Sequence, residues 1–103
     1  MSVRYLFNTA GKYVAYLSDG NIFTRDNKWF GYIDNGNEVY DTRGRFVGYV
    51  LSDDRVVRNK MEMPRLPQLP PLPPLPALPP LPPLPRLAML PLPPPYEDVF
   101  KNN

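Results

Sequence analysis

The chain has no cysteine and no histidine, which excludes disulfides, thiolate nucleophiles, His-ligated metals and histidine general bases. No proline precedes Pro64 and no glycine follows Gly48, so the chain divides into two unlike parts. It also lacks a long hydrophobic run: nothing approaches the ~18 unbroken apolar residues of a membrane helix, and the opening MSVRYLFNTAGK has no apolar signal-peptide core. The expected location is the cytoplasm, with peripheral membrane association as the alternative. An excess of one charge is missing as well. The net charge is +2, nine Lys or Arg face eight Asp or Glu in residues 1–62, and no basic run occurs, so nucleic acid is not the expected partner.

What is present is concentrated in the second part. Nine leucines (Leu66, Leu69, Leu72, Leu75, Leu78, Leu81, Leu84, Leu87 and Leu90) recur at every third residue, with mostly proline between them. Proline holds φ near the polyproline II value, and that helix has three residues per turn, so the leucines share one face. Residues 63–95 therefore read as a polyproline II arm, in which Met63 to Leu90 would span about 87 Å. Residues 96–103 read as a short tail, with Tyr96, Val99 and Phe100 as an anchor.

The first part repeats. Phe7-NTAG-KYVAYL-SDGN-Ile22 is followed by Phe23-TRDN-KWFGYI-DNGNE-Val39 and Tyr40-DTRG-RFVGYV-LSDDR-Val56. Arg4 to Phe7 look like the end of a further unit and Val57 like its start. Short runs of Val, Ile, Tyr and Phe punctuated by Ala-Gly, Asp-Gly, Asn-Gly and Arg-Gly predict strands joined by tight hairpins, near 3–8, 12–17, 21–25, 28–33, 37–41, 45–51 and 55–59. Single hairpins are unstable in water, so the units must pair. A unit split between the two ends of residues 1–62 would close a ring and remove its edges.

On strict alternation, Tyr13, Ala15 and Leu17 share a face, as do Trp29, Gly31 and Ile33, and Phe46, Gly48 and Val50. The mid-strand small residues suggest close approach at a symmetry axis or beneath an aromatic ring. Neither face is polar. Either one face fills the core while tyrosine hydroxyls on the other meet water, or an aromatic surface (Tyr16, Trp29, Phe30, Tyr32, Phe46, Tyr49) stays free to dock a proline-rich segment.

The repeat core G-[KR]-[FY]-V-[AG]-Y fits at Gly11 to Tyr16 and at Gly44 to Tyr49; in the middle copy Asn27 replaces the glycine and Phe30 the valine. With the period-three proline tail, the chain resembles the four-fold β-flower family over nearly its whole length. The resemblance implies a bacterial source and a pseudo-four-fold ring or shallow barrel of short hairpins, all-β, with no catalytic residues to carry over.

Asp19, Asp34, Asp41, Asp53 and Asp54 fall in turns, where Asp caps its own backbone, and no oxygen-donor loop spacing is present. Ser18 and Ser52 have no activating base placed by motif. The expectation is a protein that is not an enzyme and has no cofactor or metal. Lys12, Lys28 and Arg45 occupy equivalent repeat positions and are candidate anion contacts. The leucine stripe is the candidate partner-binding element, since a pure spacer needs no leucines. It would dock on an aromatic β-surface, on another protein or on other arms; a lipid surface is the alternative, and no small-molecule ligand can be named. A globule of 60 residues, roughly 27 Å across, would cover about a third of a straight rod.

Overall fold

The computed structural model describes residues 3–75 and 78–101. Among them are eight strands and no helix: β1 Val3–Phe7, β2 Tyr13–Ser18, β3 Asn21–Thr24, β4 Trp29–Asp34, β5 Glu38–Asp41, β6 Phe46–Val50, β7 Val56–Asn59 and β8 Tyr96–Asp98. They form one antiparallel sheet in chain order. Seven strands lie within one residue of the positions that turn chemistry predicts, because the turns are built by residues that tolerate left-handed backbone. Asp19 and Gly20 (φ 52° and 80°) join β2 to β3, and Asn35 and Gly36 (52° and 88°) join β4 to β5. In the middle copy Asn27, at φ 62°, does the work that glycine does at the other two hairpin tips.

Strict alternation fails at one position in each repeat. Leu6 pairs with Ala15 and Phe7 with Tyr13, Ile22 with Gly31 and Phe23 with Trp29, and Val39 with Gly48 and Tyr40 with Phe46. Val14, Phe30 and Val47 are thus the extra residues of three equivalent β-bulges. Each bulge turns the β-branched or aromatic extra residue toward the core and leaves the preceding aromatic on the outer wall. Val14 joins Leu6, Ala15, Ile22, Val39, Val50, Val56 and Phe100 in the core, with Phe30 and Val47 packed against them. Tyr13 instead meets Tyr5 and Phe7 (ring centroids 5.6 and 6.3 Å), and Phe46 meets Tyr40 and Tyr49. Gly31 and Gly48 serve strand packing, not a symmetry axis or an aromatic ring: a Cβ on Gly31 would stand 1.9 Å from the Tyr40 carbonyl oxygen, and one on Gly48 2.2 Å from that of Val57, while Ala15 is part of the core.

Eight neighbouring strands laid flat would be about 34 Å wide, yet the two ends of this sheet touch, so it curls into a half-barrel. The Phe7 N–H donates to the Asp54 carbonyl (2.8 Å). The Thr9 N–H and hydroxyl both donate to Asp98 (3.1 Å each), and the Asn8 amide donates to the Lys101 carbonyl. The central strand that the split repeat lacked comes from beyond the proline-rich segment. Tyr96–Asp98, set apart as tail by the sequence, pairs with β7, and Phe100 packs at 4.7 Å from the Phe30 ring.

The proline-rich segment is therefore the connection between β7 and β8, and the Lys60 N–H donates to the Pro95 carbonyl where it leaves and returns. No part of it described here is helix or strand. The molecule measures 36 × 35 × 21 Å, so an arm of this length must bend round the sheet and cannot project as a straight rod.

Candidate functional site

Two glycines clamp the arm. Gln68 donates its backbone N–H to the Gly44 carbonyl (3.0 Å), and Arg86 donates to that of Gly11 (2.8 Å). Met89 adds a third bond, to Thr9 (2.8 Å). At both glycines the backbone is left-handed, and a Cβ would lie 1.8 Å from the Gln68 oxygen or 2.0 Å from the Arg86 oxygen. Proline has no N–H, which explains why these three arm positions are not proline.

From Arg65 to Leu90 the described parts of the arm cross the outer aromatic wall in reverse strand order. Arg65 stacks over the Phe46 ring at 3.8 Å, pairs with Glu62 (2.8 Å) and Glu38 (3.1 Å), and donates to the Tyr49 hydroxyl. The Gln68 amide donates to the Tyr32 hydroxyl and to Asp34, both at 3.0 Å. Pro74 and Pro80 share a groove with Tyr16 and Phe23, whose rings stack at 5.1 Å. The Tyr5 hydroxyl donates to the Leu81 carbonyl (2.7 Å). Arg86 then stacks over Phe7 at 4.1 Å and pairs with Asp54 (2.8 Å). Buried Arg55 finishes the path, held by Asp53 and donating to the Leu90 carbonyl (2.7 Å), which satisfies a guanidinium that would be costly to bury unpaired.

These contacts shift the acids that make them. Hydrogen bonds from Asn35, Tyr40 and Arg65 hold the Glu38 carboxyl below its ordinary range. Burial pushes Asp54 up, but hydrogen bonds and charge from Arg4 and Arg86 outweigh it and the carboxyl is lowered. Burial also pushes Tyr13 up to about 12, with Tyr16 and Tyr5 adding to it.

Among the described residues most of the partly buried arm positions share one phase of three, and it is not the phase of the leucines; Pro71 of that phase is exposed, and Pro70, outside it, is partly buried. Leu66, Leu69, Leu72, Leu75, Leu78, Leu81, Leu84, Leu87 and Leu90 are 82–93% exposed, whereas Gln68, Pro74, Pro80, Pro83 and Met89, one phase earlier, are partly buried. The result is an apolar ridge that follows the curve of the barrel.

Four repeated hairpins, a curled all-β sheet and an integrated proline arm match one family model, that of the 4-fold beta flower protein, over residues 4–100. The chain belongs to that family. No curated protein and no solved structure matches it.

In this flower the six aromatic residues singled out from the sequence part company. Phe46, Tyr49, Tyr32 and Tyr16 lie along the arm, and the Tyr16 hydroxyl also donates to Asn27. Trp29 is half-buried and donates to Asn21 (3.2 Å). Phe30 does not belong to a docking surface, because the bulge sends it into the core. The leucines are not buried against the aromatic wall: Leu75 and Leu78 border the groove of Tyr16 and Phe23 yet stay 87% and 92% exposed, because main-chain hydrogen bonding fixes another phase of the arm against the wall. Lys12, Lys28 and Arg45 are all exposed at hairpin tips; Arg45 is paired with Asp41 (3.0 Å), and the two lysines form no ion pair among the described residues. Asp41 and Asp53 work locally, Asp41 accepting from the Arg43 and Arg45 N–H groups and Asp53 from Arg55, whereas Asp54 holds the distant Arg4 and Arg86. Among the described residues no three His, Cys, Asp or Glu gather as for a metal, and no helix is long and apolar enough to cross a membrane. The sequence reading passed over Gln68, Met89 and Arg55. A signal was there for the arm: of the six residues from 65 to 89 that are neither proline nor leucine, five (Arg65, Gln68, Ala77, Arg86 and Met89) share one phase of three, and Ala88 does not. Ala77 lies outside the described residues.

Proposed function

We propose that the protein is a non-enzymatic binding module: a four-fold ring of hairpins bound round by a polyproline II arm, which turns its leucine face outward to dock on an apolar partner surface. The exposure of nine leucines at 82–93% carries this reading. At about 2 kcal/mol and roughly 25 cal/mol per Å², each leucine offers about 80 Å² of apolar surface, so the ridge offers about 700 Å². Monomers rarely expose contiguous apolar patches above roughly 300–600 Å², and a standard interface takes about 800 Å² from each partner. The ridge is large enough for an interface. The three-residue period of exposure supports polyproline II geometry. The Thr9–Asp98 and Asn8–Lys101 contacts support a ring. The absence of histidine and cysteine, and the binding of Asp41 to its own turn backbone and of Asp53 and Asp54 to arginines, support a non-catalytic role.

Light scattering on the full chain, in buffer and with neutral detergent micelles, tests this. The wild type should self-associate or bind micelles. A variant with Leu69, Leu72, Leu81 and Leu84 changed to Gln should do neither, with an unchanged circular dichroism spectrum. A wild-type chain that stays monomeric and free of micelles overturns the proposal.

A further inference from the structure

At the root of the arm, where β7 gives way to the first prolines, one groove of about 550 Å³ is lined by Arg45, Arg58 and Lys60 beside Phe46, Val47 and Met63. The three cations are only partly engaged. Arg45 and Arg58 use just their Nε atoms among the described residues, on Asp41 and Glu97, and the Lys60 ammonium has no ion pair there. The carboxylate in the lining, Glu62, is taken by Arg65 and Tyr49. Arg45 and Arg58 are thus ion-paired with guanidinium nitrogens to spare, and Lys60 is the unpaired one of the three among the described residues; Met63 in the lining and its chain neighbours Met61 and Leu66 are apolar side chains with no part in the core, at 80%, 78% and 92% exposure.

We propose that this groove seats the anionic headgroup of a phospholipid at a bilayer surface, with Met61, Met63 and Leu66 entering the acyl boundary. The proposal rests on the ridge being an apolar docking surface, and it names the partner. A convex ridge wound round a barrel presents only a few leucines at once to a rigid, flat partner, whereas acyl chains conform to it. Stable attachment to a bilayer takes a second signal beside a modest apolar one, and the cations bordering the apolar prongs supply it: each Lys or Arg at an anionic surface strengthens binding about fivefold.

Flotation of the full chain with phosphatidylcholine vesicles, with and without phosphatidylglycerol, tests this. Binding should require phosphatidylglycerol. Lys60→Glu loses one attraction and gains one repulsion, so it should weaken partitioning about 25-fold, and the pair Met61→Gln, Met63→Gln should weaken it too; both variants should keep the wild-type circular dichroism. Equal binding to both vesicle types, or binding indifferent to these variants, overturns the site. Inorganic phosphate that shifts the Arg58 and Lys60 resonances while vesicles fail to bind marks a free-anion site and overturns the lipid assignment. Failure to float together with micelle binding or self-association sinks the lipid assignment and leaves the ridge reading standing, with a protein as the partner.

Discussion

Gln68 and Gly44 are fitted to each other through their main chains: the Gln68 N–H donates to the Gly44 oxygen at 3.0 Å, and a methyl group on Gly44 would stand 1.8 Å from the Gln68 oxygen. Gly44→Ala should therefore expel the arm locally. It adds a backbone clash to the roughly 1–2 kcal/mol cost of a left-handed L-residue. Arg65 and Arg86 are each followed by leucine, so trypsin can report the release. Cleavage at Arg65–Leu66 should accelerate in Gly44→Ala and cleavage at Arg86–Leu87 in Gly11→Ala, with peptides read by mass spectrometry. Wild-type rates at both bonds would show that the glycines do not clamp the arm.

Donor loss can be separated from proline content. Gln68→Pro removes both the N–H bound to Gly44 and the side chain bound to Tyr32 and Asp34, so it should cost about 1–3 kcal/mol. Leu72→Pro removes a side chain that is 89% exposed and should leave the thermal midpoint nearly unchanged. Equal effects in calorimetry would contradict the assignment of faces.

Acid should loosen the arm. Glu38 and Asp54, which grip Arg65 and Arg86, both have carboxyls lowered from their ordinary 4.5 and 3.8. A carboxyl depressed on folding contributes stability that is complete above its unfolded value and is lost as pH falls through the folded one. Amide exchange at Gln68 and Arg86 should thus be protected from neutrality down to the ordinary carboxyl range and lose protection as pH falls further, through the lowered carboxyls of Glu38 and Asp54. In the double variant Arg65→Ala, Arg86→Ala that acid limb should flatten; an unchanged limb would assign the acid sensitivity to other carboxylates.

A chain ending at residue 62 should not fold. It would lack β8, leave β7 as an open edge and lose Phe100, which is 5% exposed and packs on Phe30. Deleting a buried Phe side chain costs about 3–5 kcal/mol, comparable to everything a core of this size supplies. In the full chain, Phe100→Ala should lower the thermal midpoint by roughly 15–20 °C. A truncated chain with cooperative unfolding and native Trp29 fluorescence would refute this.

Turn chemistry made seven strands legible, since Asp19-Gly20, Asn35-Gly36 and the glycines of the hairpin tips leave the backbone little choice. The bulges were not legible. Val14, Phe30 and Val47 sit in apolar runs where an extra residue looks like one more step of alternation, and only cross-strand pairing reveals it. The eighth strand, Tyr-Glu-Asp, is too short and too acidic to announce itself, and its partners lie 37 to 41 residues earlier. In the arm the leucines drew attention as the face to be buried, because burial of apolar surface is the usual driving force. Here the hydrogen-bonding requirement ranked higher: the main-chain N–H groups tied to Gly44, Gly11 and Thr9 belong to Gln68, Arg86 and Met89, three positions where proline would lose the bond.

Gln68 and Arg86, the two clamped positions, are eighteen positions apart, a whole number of the three-residue turns that the proposed polyproline II arm would make. The length of the arm is consequently quantised. Adding or removing three residues between the clamps keeps every leucine pointing outward, whereas a single inserted residue would carry the leucines of the following turns round by a third of a revolution, onto the tyrosines. Drift in this loop is thereby confined to steps of a full turn, an unusual constraint for a surface connection, where insertions of any length are ordinarily tolerated.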